Sequence, residues 1–329
     1  MEQMEDKPEF ESRLDLSGLQ TKLEAMRQEI GKVLIGQQEM VDMLLVSILS
    51  NGHVLLEGVP GVAKTLTAKL LAKVIKADFS RIQFTPDLMP SDVLGTSIFN
   101  QKKTEFEFKP GPIFSNIILI DEINRAPAKT QAALFEVMEE RQVTVDGVTR
   151  KMTEPYFVVA TQNPIEQEGT YRLPEAQLDR FLFKLNVGYP TVEQEVDILL
   201  NHHAQKVSVD LESIQPVLTP SEIADFKALI GQIHVEQELL KYIAAIVAAT
   251  RQHVSLILGA SPRASVSILV ASKAFAAMHG RDFVTPEDIK FIAIPVMRHR
   301  VILTPESEME GISADEVIKE IIDKVEVPR

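Results

Sequence analysis

The sequence predicts an α/β protein with a three-layer αβα core, in which helices cover a parallel five-stranded sheet, followed by an all-α domain. From about residue 30 to 190, short apolar runs alternate with stretches of helical period, which is typical of a parallel sheet. After about residue 190 these runs stop, and helix-start signals with Ser or Thr three residues before an acid take over. We therefore expect a disordered tail over 1–14, a core over 15–190 and a helical domain over 191–329.

Five apolar runs are the strand candidates of the core. In chain order they are HVLLEG (53–58), RIQF (81–84), IILIDE (117–122), YFVVATQNP (156–164) and FLFKLNVGYP (181–190). Two further segments read as β-hairpin inserts, near 97–111 and 141–152, the second with an Asp146-Gly147 pair that favours a tight turn. In the last part, TPSE at Thr219, TPED at Thr285 and SADE at Ser313 predict capped helix starts.

Composition limits the class of protein. The chain has 329 residues, 45% hydrophobic and 25% charged, as in ordinary globular proteins of two domains. It has no cysteine, an acidic first segment and no apolar run long enough for a membrane span, so we expect a cytoplasmic location. A net charge of −13 argues against general capture of nucleic acid.

The segment GVPGVAKT differs at one place from the phosphate-binding pattern G-x-x-x-x-G-K-[ST], because Ala63 stands where glycine is usual. It lies between a predicted strand and a predicted helix, where free backbone N–H groups can bind phosphates. Lys64 is expected to reach the β and γ phosphates and the Thr65 hydroxyl to bind Mg²⁺. We predict that Ala63 enters the first helical turn with an ordinary negative φ. The predicted nucleotide contacts of this loop are Gly58, Val59, Pro60, Gly61, Val62, Ala63, Lys64, Thr65 and Leu66.

A buried strand ending in two acids follows one helix-and-strand unit after the loop. Asp121 is expected to complete the Mg²⁺ site, and Glu122 to act as the general base for the attacking water. Either motif alone is weak evidence, since a core strand followed by an acidic turn is common. Together they predict a P-loop nucleoside triphosphatase that uses ATP and Mg²⁺.

With both motifs in place, the sequence resembles the MoxR family of AAA+ ATPases, in which a loop ending in AKT is usual, from about residue 15 onward. The resemblance implies that Gly36 and Gln37 of LIGQQEMVDMLL lie near the adenine. It implies that Asn163 of VVATQNP orients the attacking water. It implies that Arg180 of LPEAQLDRF acts as an arginine finger on the γ-phosphate of a neighbouring subunit, with Arg172 and Arg125 as rival candidates.

The same resemblance assigns Arg263 of GASPRASVSIL to a sensor of the nucleotide, at the start of a helix whose cap is Ser261 and whose first residue is Pro262. It also makes the two inserts the hairpins that face the pore or the partner in related rings. Their candidate contacts are Lys102, Lys103, Phe106 and Phe108, although these side chains could equally pack on the protein's own surface.

The function that the resemblance implies is Mg²⁺-dependent ATP hydrolysis in a homo-oligomeric ring, most often of six subunits. The work expected of this family is chaperone-like maturation or activation of a partner protein complex, sometimes by metal insertion, often with a von Willebrand A domain protein. Two alternatives stay open. One is an ATP-gated scaffold without useful turnover, and the other is a nucleic-acid-dependent AAA+ motor.

Overall fold

The fold is that of a computed structural model, which describes residues 14–59, 61–163, 171, 173–203 and 211–328. Pro60 and Arg172, two residues that the sequence singled out, lie outside the described residues. The core is built from alternating helices and strands. In chain order these are α1 (Ser17–Gly31), α2 (Gln38–Leu49), β1 (Val54–Gly58), α3 (Lys64–Val74), β2 (Phe79–Gln83), α4 (Pro90–Leu94), β3 (Gly95–Asn100), β4 (Glu105–Pro110), β5 (Ile117–Asp121), α5 (Ala128–Glu140), β6 (Gln142–Val145), β7 (Val148–Lys151), β8 (Phe157–Gln162), α6 (Glu175–Leu178) and β9 (Phe183–Val187).

The five predicted strands form one parallel sheet in the order β2-β5-β8-β1-β9. The register pairs Val54 of β1 with Val159 of β8 on one side and with Phe183 of β9 on the other. All five strands therefore end at one edge of the sheet and begin at the opposite edge. These are called below the carboxyl edge and the amino edge.

Both faces of the sheet are buried, as continuous apolar strands require. In β5, Ile117 and Leu119 point to one side, and Ile118 and Ile120 point to the other. The first side continues without a break into the core of the helical domain, which includes Ile268 and Ile292. The two halves of the chain thus share one hydrophobic core, and the helical half is held firmly against the sheet.

The helical half contains α7 (Val192–His203), α8 (Pro220–Gly231), α9 (Gln237–Thr250), β10 (Leu256–Leu258), α10 (Pro262–Met278), α11 (Pro286–Met297), β11 (Ile302–Leu303), α12 (Pro305–Met309) and α13 (Ala314–Lys324). The short strands β10 and β11 pair as an antiparallel ribbon between the helices. Thr219, Thr285 and Ser313 each cap a helix through a reciprocal capping box, as their sequence pattern predicts. The predicted fold class is confirmed.

Two antiparallel hairpins project from the core, β3–β4 and β6–β7. They contact each other, because the Ser97 hydroxyl donates a hydrogen bond to Asp146 and the Arg150 guanidinium lies 4.0 Å from the centre of the Phe108 ring. Phe108 also packs edge-on against Phe114, with ring centres 5.8 Å apart. The hairpins are therefore joined to each other as well as to the sheet.

Candidate nucleotide site

The phosphate-loop sequence follows β1 at the carboxyl edge and leads into α3, the arrangement that binds phosphate in other proteins. Gly58 ends the strand, where a Cβ atom would overlap the carbonyl oxygen of Val187 in β9. Glycine is needed at 58 because the neighbouring strand comes so close. Gly61 has a φ of +88°, a left-handed conformation that glycine adopts without strain.

Ala63 contradicts the expectation drawn from the sequence. It precedes α3 as the N-cap residue, with φ 59° and ψ 18°, instead of lying inside the first turn with a negative φ. A left-handed conformation costs an L-residue with a Cβ about 1–2 kcal/mol. The usual glycine at this place therefore relieves backbone strain, and this chain tolerates the strain of an alanine.

Lys64 is half-buried at the start of α3, and its Nζ donates a hydrogen bond to the carbonyl oxygen of Gly58 at 2.6 Å. Desolvation lowers the pKa of Lys64, while the carboxylates of Asp121, Glu122 and Glu57 oppose that shift. The ammonium group thus lies over the loop and within the electrostatic reach of the acidic strand end.

Asp121 at the end of β5 and Glu122 directly after it are held by the neighbouring strands. Thr161 of β8 joins them, because its hydroxyl accepts from the Glu122 N–H at 3.0 Å and donates to Asp121 Oδ1 at 3.2 Å. The other oxygen of Asp121 accepts from Arg81 Nε of β2 at 2.6 Å. Asp121 itself is buried. The Asp121 carboxylate and the Glu122 main chain are therefore fixed side by side at the carboxyl edge.

Glu122 has a left-handed backbone, with φ 57° and ψ 53°, a conformation that is uncommon for residues other than glycine. Its side chain accepts from Gln83 Nε2 at 3.1 Å, and its Oε2 lies 2.8 Å from Arg125 Nε, an ion pair that is not aligned as a hydrogen bond. Strained backbone of this kind is common at functional sites. Glu122 is held in place by its neighbours from β2 and from the turn that follows β5.

Asn163 follows β8 directly and is half-buried at the same edge. Thr65 lies in the first turn of α3, next to Lys64. Thr65 and Asp121 together offer one hydroxyl and one carboxylate, and Mg²⁺ in nucleotide sites is typically held by few protein ligands, with phosphates and waters completing the octahedron. Among the described residues, no three His, Cys, Asp or Glu side chains converge on a metal site. The donors present fit Mg²⁺ bound together with a triphosphate.

A cavity of about 520 Å³ opens between the core and the helical domain, and Val187, which contacts Gly58 at the start of the loop, lines it. Gly36 and Gln37 line it, as does the end of β9, and α11 closes it with Phe291 and Pro295. Its size and its partly apolar walls suit a planar base. The residues that the family resemblance assigns to the adenine therefore lie at one cavity with the helical domain as its far wall.

Arg180 lies at the other edge of the sheet, two residues before Leu182, whose N–H donates to the carbonyl oxygen of His53 at 2.8 Å. Its Nη1 donates to the carbonyl oxygen of Phe135 at 3.0 Å and to Glu139 at 3.3 Å. Within the described residues its buried Nε has no acceptor. The five residues of β9 separate the two edges by about 17 Å, so Arg180 does not reach the loop of its own chain.

Arg263 joins Arg180 at the amino edge. It donates to Glu139, and its Nη1 lies 3.8 Å from Asp179. Ser261 occupies the N-cap position of α10, but its hydroxyl donates to Asp179 at 3.4 Å and does not cap the helix. Asp179 is held in turn by the buried Arg300, whose Nε donates to it at 2.6 Å. Arg180 and Arg263 therefore share one groove, and Arg263 finds its acidic partners within the chain.

Sequence reasoning missed several residues of the site. Arg81, Gln83 and Thr161 bind the acidic pair, and Glu139 and Asp179 hold the arginines. Arg125, a rival for the finger, pairs with Glu122 of its own chain at the carboxyl edge. Of these residues, only Arg81 and Gln83 had a possible signal in the sequence. The alternation of RIQF places both side chains on one face of a predicted strand.

The candidate contacts on the β3–β4 hairpin divide into two kinds. Phe108 is half-buried under Arg150, whereas Phe106 is 74% exposed and touches Phe99 edge-on, with ring centres 5.3 Å apart. Lys103 pairs with Glu107 of the same hairpin, and Lys102 is exposed. Phe108 therefore packs on the protein's own surface, whereas contact of Phe106, Lys102 and Lys103 with a partner stays a prediction.

Comparison with known proteins identifies both halves of the chain. Residues 53–183 match the family described as "ATPase family associated with various cellular activities (AAA)", and residues 248–321 match the AAA lid domain. The chain is 49% identical over 301 residues to an uncharacterized protein, YeaC, of Bacillus subtilis, covering 92% of this chain and 93% of that protein. It is 44% identical over 310 residues to the chaperone MoxR1 of Mycobacterium tuberculosis, covering 92% of this chain and 81% of that one.

A solved structure gives the same result. The crystal structure of a proposed ATPase from Cytophaga hutchinsonii superposes with a TM-score of 0.89 at 43% sequence identity, covering 95% of this chain and 97% of that one. In the part of the chain that the structure describes, each helix is too short or too polar to cross a bilayer.

Proposed function

The chain belongs to the MoxR family of AAA+ ATPases, and we propose that it hydrolyses MgATP between the subunits of a ring and uses the energy to remodel or activate a partner protein complex. The observation that carries the proposal is the division of charged groups between the two edges of one sheet. The phosphate loop, Asp121 and Glu122 lie at the carboxyl edge. Arg180 and Arg263 lie at the amino edge.

At the carboxyl edge, the main-chain amides of Gly61, Val62, Ala63, Lys64, Thr65 and Leu66 would hold the phosphates, with Gly58 and Val59 leading into the loop. Thr65 and Asp121 would hold Mg²⁺, which when bound neutralises charge on the β and γ phosphates. Arg81 now donates to one oxygen of Asp121 at 2.6 Å, and the charge of Mg²⁺ would compete with this ion pair. Gly36 and Gln37 would line the adenine site.

Glu122 is the group best suited to accept the proton of the attacking water, and Asn163 to orient that water. The ion pair with Arg125 at 2.8 Å occupies the Glu122 carboxylate that would accept this proton. Release of this pair would therefore accompany activation. Asn163 suits its role because an amide donates and accepts hydrogen bonds without adding charge.

The arginines complete the site of another copy. Arg180 is about 17 Å from the loop of its own chain along β9, and Arg263 shares its groove at the surface. A head-to-tail arrangement brings the amino edge of one subunit to the carboxyl edge of the next, and such an interface closes into a ring when the rotation fits. The finer parts of this proposal are six subunits, a von Willebrand A domain partner and metal insertion as one form of the work, which rest on family resemblance. A cytoplasmic location is a further part, which rests on composition.

The Glu122→Gln variant tests the proposal. It should bind MgATP in calorimetry with nearly unchanged affinity, lose turnover by about 100-fold or more and hold the partner complex in pull-downs, because only proton acceptance is removed. Glu136→Gln, at an exposed position of α5, is the matched control and should keep wild-type turnover.

Equal slow turnover in the wild type and in Glu122→Gln would contradict the enzyme and favour the ATP-gated scaffold. Turnover that rises several-fold with DNA would favour the nucleic-acid motor.

A further inference from the structure

Helix α7 leaves its apolar side chains in solvent. Val192, Val196, Leu199 and Leu200 lie on one face at helical spacing, and they are 48–74% exposed. None of the α7 side chains whose burial is described is buried. An apolar stripe of this kind marks an interaction surface, because a short helix in water gains its stability by packing an apolar face.

Acidic side chains flank the stripe. Glu193 and Glu195 lie on either side of it and Asp197 lies farther round, whereas residues 192–203 contain no Lys or Arg. The partner of this face should therefore be apolar in its centre and positively charged at its rim.

The groove at the amino edge has that composition. It is a cavity of about 550 Å³ between α10 and the start of the sheet strands. Its apolar part includes Val266, which is 62% exposed, and Val270, on the turns of α10 that follow Arg263. Its charged side chains are Arg141, Arg180, Arg263 and Arg300 against Glu139 and Asp179, so positive charge is in excess.

The two surfaces also lie on the two sides of the proposed subunit contact. Helix α7 begins at the carboxyl edge beside the base cavity, which Thr191 and Gln194 line together with Gly36. The side chain of Gln194 packs where a Cβ of Gly36 would be, so the start of α7 is fixed next to the nucleotide site. In a neighbouring subunit whose Arg263 points to that site, Val266 and Val270 lie one and two turns farther along α10.

We propose that α7 of one subunit packs its apolar stripe against the exposed face of α10 in the next copy of the chain. The inference rests on the proposed ring, and it names the surfaces that form it. Binding of ATP beside α7 and binding of the neighbour's α10 to α7 then stabilise each other, since both use the same junction.

Cross-linking tests this contact directly, because the natural chain has no cysteine. The Leu199→Cys and Val266→Cys variants, mixed in the presence of MgATP and treated with a short bis-maleimide, should give a covalent dimer on denaturing gels. The double variant should give a ladder of higher species. The control pairs Leu199→Cys with Met309→Cys, at an 89% exposed position of α12, and should give only background.

A second measurement tests the same contact without a cross-linker, because the bis-maleimide could be too short to join the two cysteines. Leu199→Asp should shift the assembly measured by sedimentation velocity toward the monomer and lower turnover about 10-fold or more, with the thermal unfolding midpoint unchanged. Val266→Lys should restore assembly of Leu199→Asp, whereas Val254→Asp, at an 89% exposed turn, should leave the wild-type assembly intact.

Variants that form rings and hydrolyse ATP but give neither the specific cross-link nor the assembly defect would overturn the α7–α10 contact and leave the ATPase ring standing. In that case α7 is free for another occupant, such as a partner protein. Wild-type protein that stays monomeric with MgATP would overturn the ring itself, and this inference with it.

Discussion

The carboxyl and amino edges of the sheet differ in how their charged side chains are paired. At the carboxyl edge, Asp121 and Glu122 stand opposite Lys64, with Arg81 and Arg125 paired to the acids. At the amino edge, Arg180 and Arg263 share Glu139, and positive charge exceeds negative. One copy of the chain thus holds the phosphate loop and the Arg180 groove about 17 Å apart, too far for both to act on one nucleotide. In the proposed ring, two copies would bring them together.

The largest effect is expected from removing the arginine of the amino edge. Arg180→Ala should lower ATP turnover by about 10³-fold with ATP binding retained, because the group acts on charge that develops during transfer. Lys64→Ala should be inactive through loss of phosphate binding. Mixing the two variants should recover up to about a quarter of the wild-type rate, since that fraction of random head-to-tail junctions has both halves intact.

A mixture no more active than its parts would mean that Arg180 does not serve the neighbouring site. Arg27→Ala, which removes the partly exposed ion pair between Arg27 of α1 and Asp42 of α2, is the control and should change turnover little.

A smaller effect is expected from His53, whose side chain is held neutral at the amino edge. His53 is buried there, with Nε2 donating to Met138 O at 3.2 Å and Nδ1 accepting from the Val158 N–H at 3.1 Å. Burial, helped by Arg141, lowers the pKa of His53 to about 4. The unfolded chain, with a pKa near 6.5, takes up this proton first as the pH falls. The free energy of unfolding should therefore decrease between pH 6.5 and 4, by about 3 kcal/mol from this group.

The measurement is urea unfolding from pH 7.5 to 4 for the wild type and for His53→Gln, whose curve should be flatter over that range. His234→Gln, at an exposed position, should follow the wild-type curve. Parallel wild-type and His53→Gln curves would show that His53 is not held neutral at the amino edge.

The smallest effect concerns the carboxyl edge. Ala63→Gly should raise the free energy of unfolding by about 0.5–1 kcal/mol, because relief of about 1–2 kcal/mol of left-handed strain exceeds the roughly 0.4–1 kcal/mol that glycine costs through the unfolded chain. Urea unfolding measures the change. Ala245→Gly, at an exposed interior position of α9, should instead lose about 1 kcal/mol. Equal losses at both positions would mean that residue 63 is helical, as the sequence suggests.

Short-range patterns in the sequence were enough to predict the parts of the molecule that depend on near neighbours along the chain. The five strands follow from continuous apolar runs, and the caps at Thr219, Thr285 and Ser313 follow from side chains three residues apart. The phosphate loop and the acidic strand end were readable for the same reason. Each is a local pattern whose chemistry lies within one turn or one strand.

The contacts that those parts make with each other depend on the three-dimensional fold. The strand order brings Arg81 and Thr161 to Asp121, and the packing of α10 brings Arg263 to Arg180, although 83 residues of the numbering separate the two arginines. The three-dimensional fold also sets the conformation of Ala63, where the loop overrides helix propensity, and it leaves α7 uncovered. Such contacts depend on the three-dimensional path of the whole chain, and residue type and spacing do not encode that path in any one segment.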